Sequence, residues 1–207
     1  FTIKQDGSTN TLGAVSDRAG LTGNSKTFTS ITTGTGNEIL LQETGNSTTT
    51  ELLITGNTNE VDSNVEGDSN DTTFEITGNT NTLLVKADVA ADVENTTNNS
   101  NIDVTIEGNT NDVTFSMVDT DAAVNLWSLI GDLNVVNSYQ QGQTGGIGHA
   151  QTVELFGSSN NVDIYQIGTE AHTIDLQVLG SDNDYTITQT DGTTPTYTNP
   201  SAVTTQP

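Results

Sequence analysis

Apolar and polar residues alternate in short runs along this chain, and most runs end on a glycine. Phe74 and Ile76 stand four and two places before Gly78, and Val104 and Ile106 stand likewise before Gly108. Trp127 and Leu129 precede Gly131, Val153 and Leu155 precede Gly157, and Leu176 and Val178 precede Gly180. Thr, Glu, Asp, Ser and Asn fill the places between. Alternation with a period of two over five or six residues, rich in β-branched types, predicts half-buried strands. An asparagine follows three places after the glycine, pairing Gly7 with Asn10, Gly34 with Asn37, Gly56 with Asn59, Gly67 with Asn70 and Gly78 with Asn81. The same pair recurs at Gly108/Asn111, Gly131/Asn134, Gly157/Asn160 and Gly180/Asn183. Glycine supplies a positive φ in a tight turn, and asparagine tolerates left-handed geometry and bonds its own backbone.

The turns return at a fixed step. Gly34, Gly45, Gly56, Gly67 and Gly78 are eleven residues apart. Gly131 and Gly142, and again Gly157 and Gly168, keep that step, and Gly180 follows Gly168 by twelve. Eleven residues make one strand and one turn, which is half of a closed coil. The pattern therefore predicts an all-β fold, a parallel two-sheet β-solenoid of about 22 residues per coil, with Ile, Val, Leu and Phe filling the space between the sheets. Turn asparagines of successive coils would lie above one another at the ~4.8 Å strand spacing, close enough for their amides to bond along the stack. Residues 1–192 form the repeat domain, with insertions that break the register near 13–26, 86–97 and 143–150. The last stretch, 193–207, holds all three prolines. Proline cannot continue a central strand, so this arm is a linker, a cap or a segment reaching a neighbouring subunit.

Composition sharpens the choice of fold. Only 31% of the residues are hydrophobic and 5% aromatic, and the net charge is −23. A conventional globule struggles to bury enough surface from such a chain, whereas stacked thin layers need less. Four basic residues, Lys4, Arg18, Lys26 and Lys86, stand against 27 acidic ones. That balance argues against nucleic acid, whose phosphates need Lys and Arg, and against anionic membrane surfaces. No apolar run reaches the length of a membrane span. The chain has no cysteine. An acidic, Asn- and Thr-rich surface suits an extracellular or saline medium.

Some pre-turn slots carry glutamine. Gln5, Gln140 and Gln166 stand two places before Gly7, Gly142 and Gly168, and Gln189 takes the same slot if Asp191 replaces the glycine. An inward glutamine needs partners, and stacked glutamines find them in the coils above and below. With these residues in view, "NVDIYQIG" (161–168), "DLQVLGSDN" (175–183), "DYTITQTDG" (184–192) and "IKQDGSTN" (3–10) resemble repeats of curlin, the subunit of bacterial curli fibres. The middle of the chain keeps the eleven-residue step but replaces most glutamines by Ile, Val or Leu, and Gln42 in "LLQETGN" falls one place out of register. The resemblance implies a two-sheet solenoid, secretion, and self-assembly into extracellular fibres.

Chemistry-bearing patterns are sparse. His149 in "GGIGHAQ" and His172 in a turn belong to no metal or catalytic pattern and read as loop residues. No nucleophile elbow or phosphate loop occurs. The acidic turns "DSND" (68–71), "DTD" (119–121) and "GSDND" (180–184) are rich in oxygen, but calcium-binding solenoids repeat every nine residues, so only adventitious divalent cations are expected there. The sequence thus points to a structural, non-enzymatic protein without a cofactor. The expected behaviour is head-to-tail polymerisation with copies of itself into an extracellular filament. The alternative is a solenoid adhesin or phage-type fibre stalk.

Overall fold

The computed structural model describes residues 1–14, 17–67, 69–87, 97–98, 101–121, 124–142, 150–167, 173–190 and 196–199. Every described element is a strand. Sheet A takes β1 (Thr2–Asp6), and sheet B takes β2 (Thr9–Leu12) and β3 (Ala19–Thr22). The chain then alternates between the sheets: β4 (Thr27–Thr33) and β5 (Gly36–Thr44), β6 (Thr49–Thr55) and β7 (Thr58–Glu66), β8 (Asp71–Thr77) and β9 (Thr80–Ala87). A short β10 (Thr97–Asn98) precedes β11 (Asn101–Glu107) and β12 (Thr110–Asp121). Next come β13 (Val124–Ile130) with β14 (Leu133–Gly142), β15 (Ala150–Phe156) with β16 (Ser159–Ile167), and β17 (Thr173–Leu179) with β18 (Asp184–Thr190). The last described strand is β19 (Thr196–Asn199).

Sheet A has eight strands in the order β1-β4-β6-β8-β11-β13-β15-β17, and sheet B runs from β2 to β18 with β19 on its far edge. Each sheet-A strand and the sheet-B strand after it form one coil, so the described strands make eight coils of a two-sheet parallel solenoid. Pairing between coils is parallel and in register, apart from a one-residue shift between Met117 and Thr120 where β12 pairs with β14. Thr29 pairs with Glu51 and Glu51 with Thr73, a step of 22 residues as the eleven-residue pattern predicts.

The core lies between the sheets. Ile54, Val65, Ile76 and Val104 all lie in one continuous buried cluster with Phe74, Phe115 and Trp127. Phe115 of sheet B meets Trp127 of sheet A edge to face, with ring centroids 4.9 Å apart. Alternation sets this outcome: Glu75 and Glu107, one place away from the inward residues, are exposed, and Glu66 and Asp163 are half-buried.

The two sides of the coil differ. The connection from sheet A to sheet B always spans three residues from glycine to asparagine. The rest of the coil varies in length, so the coil-to-coil step is 27 from Asn10 to Asn37, 22 at the next two, then 30, 23, 26 and 23. The first insertion splits a strand. Leu12 faces Ile39 and Ala19 faces Leu41, so residues 13–18 stand where a regular strand has one residue. Gly13 turns this corner with φ 84°, and a Cβ there would meet the Leu40 carbonyl. From this corner Arg18 reaches across β5 to the Asp62 carboxylate and donates to the Asp62 carbonyl at 2.9 Å. Most of the insertion at 86–97, and residues 143–149, lie outside the described residues.

Within the proline-rich arm, the described residues 196–199 form a strand on the edge of sheet B. β19 lies antiparallel on β18, pairing Tyr185 with Asn199 through Thr188 with Thr196. The rest of 193–207 lies outside the described residues.

Core burial makes a direct test. Ile76→Asp should lower the free energy of unfolding by about 4 kcal/mol, because it places an unpaired charge between the sheets. Glu75→Ala, one residue away and outward, should change it by less than about 0.5 kcal/mol. Denaturant titration followed by circular dichroism measures both.

Candidate functional site

The most continuous polar feature is a line of asparagines at the turns from sheet A to sheet B. Asn10, Asn37, Asn59, Asn81, Asn111, Asn134, Asn160 and Asn183 stack one per coil. Each Nδ2 donates to the Oδ1 of the next, at 3.1, 2.8, 2.8, 2.9, 2.8, 2.7 and 2.7 Å. The same amides also bond backbone. Asn59 Nδ2 donates to the Gly56 carbonyl of its own turn at 3.3 Å and to the Thr77 carbonyl of the next coil at 3.2 Å. Asparagine serves here because its side chain is both donor and acceptor, so an indefinite row can satisfy itself. All eight are buried.

Asn70 stands apart from this line. The eleven-residue step interleaves two turn lines, and Gly67 and Asn70 belong to the second one, with Gly23 and Gly45. There Asn70 Oδ1 accepts from Thr48 N at 3.1 Å and Thr48 Oγ1 at 2.9 Å. The two lines need glycine for different reasons. Gly45 and Gly67 have φ of 147° and 111°, and Ser47 and Ser69 share the left-handed region at 58° and 57°. In the first line the positive φ expected from sequence is not what selects glycine at Gly34, Gly56, Gly78, Gly108, Gly131 and Gly157. A Cβ on Gly78 would sit 1.9 Å from the Gly56 carbonyl oxygen, and one on Gly157 would sit 1.6 Å from that of Gly131. Glycine is required because the neighbouring coil's backbone occupies the space of a side chain. Along these turns, residues 55–57, 77–79 and 107–108 line a shallow open groove of about 410 Å³.

Gln140, Gln166 and Gln189 form a second, shorter row inside sheet B. Gln166 Nε2 donates to Gln140 Oε1 at 2.7 Å, and Gln189 Nε2 to Gln166 Oε1 at 3.0 Å. Gln5 is not part of it. It lies in sheet A at the edge strand β1, in the register column of Thr32, Ile54 and Ile76, and its Nε2 bonds the Thr11 carbonyl at 3.3 Å. The slot two before a glycine alternates between sheets, so a shared slot number does not place two residues together. Gln42, one place off the pattern, points outward and accepts from Asn64 at 3.1 Å.

Its neighbour Glu43 takes the inward slot and is fully buried. It occupies the register column that later holds Gln140 and Gln166. Thr50 Oγ1 donates to its Oε2 at 2.8 Å and Thr72 Oγ1 reaches the same atom at 3.5 Å, while Oε1 has no protein partner. Burial pushes its pKa up to about 7, the two threonine hydroxyls pull it down, and the Asp71 charge adds to the rise. Sequence alternation signalled Glu43, two places before Gly45, but it does not say that an acid will be tolerated there. Asp103 is also shifted upward, by partial burial and by Asp71, against an Asn101 amide that donates at 3.3 Å.

Further along, the core becomes more polar. Asn125 and Gln151 are register partners, and Ser138 Oγ donates to Gln151 Oε1 at 3.1 Å. The Asn125 amide, Trp127 Nε1, Gln140 Nε2 and Gln151 Nε2 have no bonding partner among the described residues. Outside, exposed apolar side chains gather on the later coils: Leu126, Ile130, Leu133 and Leu179 are 47, 44, 50 and 40% exposed. Ile130, Phe156 and Leu179 share one register column of sheet A.

Among the described residues, no three His, Cys, Asp or Glu stand together as a metal-binding group. His149, His172 and Asp68 lie outside the described residues. No described helix is long and apolar enough to cross a membrane. No family model matches this chain, and neither a curated protein nor a solved structure matches it.

Two variants test the inner polar groups. Asn81→Ala removes the acceptor of Asn59 and the donor of Asn111, and should destabilise by roughly 2 kcal/mol in chemical denaturation. Glu43 has a folded pKa near 7 against 4.5 for the free group. Its raised value means that the folded state binds the proton more tightly, so this group favours folding below pH 4.5 and loses that contribution as pH rises through 7. Stability should therefore climb as pH falls from about 8 to 5, by on the order of 3 kcal/mol for this group. Glu43→Gln should be more stable than the parent at pH 8 and should flatten the slope in that window.

Proposed function

We propose that this chain is a structural subunit that stacks head to tail on copies of itself to build a curli-like extracellular filament. The observation that carries this reading is the asparagine line together with the sheet edges. The line is polar along its length: every amide donates in the same direction, Asn10 begins it as a donor and Asn183 ends it as an acceptor. A row of this kind gains from each added coil and has no internal stop. At its two ends the outer edges of β1 and β17 are unpaired among the described residues. Such edges are templates for another strand. A head-to-tail contact between unlike edges propagates as a filament.

The resemblance of residues 3–10 and 161–192 to curlin repeats supports the same assembly, and with the acidic surface it supports an extracellular setting. A structural role needs neither a cofactor nor a catalytic group. Eight coils at ~4.8 Å would space subunits about 38 Å apart along the fibre. Electron microscopy at rising protein concentration tests the reading. Unbranched filaments with that axial repeat are the expected result, and a protein that stays monomeric throughout overturns it.

One observation favours a second reading. Exposed Ile130 and Leu179 flank half-buried Phe156 in one column, and Leu126 is exposed on the same face of β13, which gives the later coils an apolar face. An adhesin or fibre stalk would use such a face to contact a surface. Binding by the monomer that is lost on Ile130→Asp, without filaments under any condition, would select this reading.

Charge should set the pace of assembly. Glu38 and Glu60 are register partners on adjacent strands, both outward, in a chain of 27 acids and four bases. Added salt shortens the Debye length from ~30 Å at 0.01 M to ~8 Å at 0.15 M and weakens this repulsion. Filament growth, followed by light scattering, should be faster at the higher ionic strength and faster still with divalent cations.

A further inference from the structure

The two sheets end differently at the last coil. In sheet A the outer edge of β17 is unpaired among the described residues, whereas in sheet B the outer edge of β18 is covered by β19. β19 is the one strand among those described that pairs antiparallel, and all other named strands pair parallel in both sheets. We infer that residues 196–199 are a releasable self-cap. They hold the sheet-B edge that the first coil of a second copy takes during head-to-tail addition. The inference rests on the filament reading above and adds to it the step that controls each joint.

Direction is the first argument. A second copy continues the solenoid only by parallel pairing, because the fixed three-residue turn and the asparagine line both require chain direction to be kept from coil to coil. An antiparallel strand satisfies backbone groups of the edge but offers no glycine turn and no following coil. It ends the sheet without extending it. Covering strands of this kind are how exposed edges are protected from unwanted pairing.

Extent is the second argument. β19 holds four register pairs, Tyr185 to Thr188. It leaves Asn183, the last member of the asparagine line, outside its span. Against its own neighbours in the chain, β1 makes five pairs with β4, and β2 and β3 make four each with β5. These strands present the same series of inward, outward and turn positions to β17 and β18 of a second copy, with Asn10 following Asn183. The incoming coil therefore replaces four pairs with a larger set spread over both sheets and adds a bond to the asparagine line. The exchange favours addition once the cap lifts. The open β17 edge gives the newcomer a foothold before the cap leaves, so release and docking need not be simultaneous.

The full chain with Thr186→Cys and Thr198→Cys tests this, since the two are Cα partners across β18 and β19 and the native chain has no cysteine. Mass spectrometry verifies the disulfide. Oxidised protein should elongate preformed wild-type filaments at least tenfold more slowly than the same protein reduced. It should also arrest wild-type growth at substoichiometric amounts, because each locked copy adds once through its β1 edge and then presents a cap that cannot lift. Full-length Thr198→Pro, which weakens β19 pairing, should shorten the lag severalfold. Wild-type filaments that form while the oxidised variant elongates as fast as the reduced one, or while Thr198→Pro grows no faster, overturn the cap and leave the filament reading in place. Wild type, reduced variant and Thr198→Pro all remaining monomeric would instead overturn the filament reading, and the cap with it.

Discussion

Every feature of this molecule depends on one coil landing directly on the last at the spacing of hydrogen-bonded strands. That contact is tight enough at the first turn line that a methyl group cannot fit between coils: a Cβ on Gly108 would sit 1.8 Å from the Gly78 carbonyl oxygen. Backbone approach this close fixes register on one side of each coil. The asparagine amides then convert register into hydrogen bonds, and the alternating strands follow from there with one face turned to the core. A slip by one residue would break the amide line, drive side chains into carbonyls and turn the apolar residues outward together. The register is therefore specified three times by the same eleven residues.

The arrangement also explains how so few apolar residues hold a fold. A slab two strands thick needs only two or three inward side chains per strand, and those are supplied by Leu52, Ile54, Phe74, Ile76 and their counterparts. Where apolar residues run short, polar ones that can pair along the stack replace them, as Gln140, Gln166 and Gln189 do. Glu43 is the exception. It has two threonine donors on one oxygen and none on the other, and its raised pKa records the imbalance. Asn125 carries a similar debt as a neutral group.

Much of this was legible in the sequence because period-two alternation and a recurring Gly-x-x-Asn are local signals that the solenoid repeats without change. The inward positions of Ile54, Val65, Ile76 and Val104 follow from counting back from the turn. What the count could not supply was which sheet a slot belongs to. Gln5 and Gln166 share a slot and stand in opposite sheets, and Asn70 shares a motif with Asn59 but lies on the other turn line. The role of glycine was also hidden, since a positive φ and an occluded Cβ look alike in sequence. Glu43 was readable by position and missed by residue type, because charged residues are rarely buried. Arg18 gave no signal, for its partner Asp62 lies 44 residues away and is brought near only by stacking. The antiparallel pairing of β19 is a single non-repeating contact, which periodicity has no means of announcing.

The unequal connections of the coil carry one more consequence. Large length changes enter mostly where the chain returns from sheet B to sheet A, and once inside sheet B at the β2–β3 corner, so the step stretches from 22 to 30 residues while the turn from sheet A to sheet B keeps its length. The two flanks of the molecule thus differ in what they can accept. One is sealed by glycine and cannot accept a single extra methyl; the other accepts whole segments without disturbing the stack. New sequence can be grafted onto that permissive flank one coil at a time, at intervals set by strand spacing, and a polymer of such subunits would carry the graft as a regular row along one side.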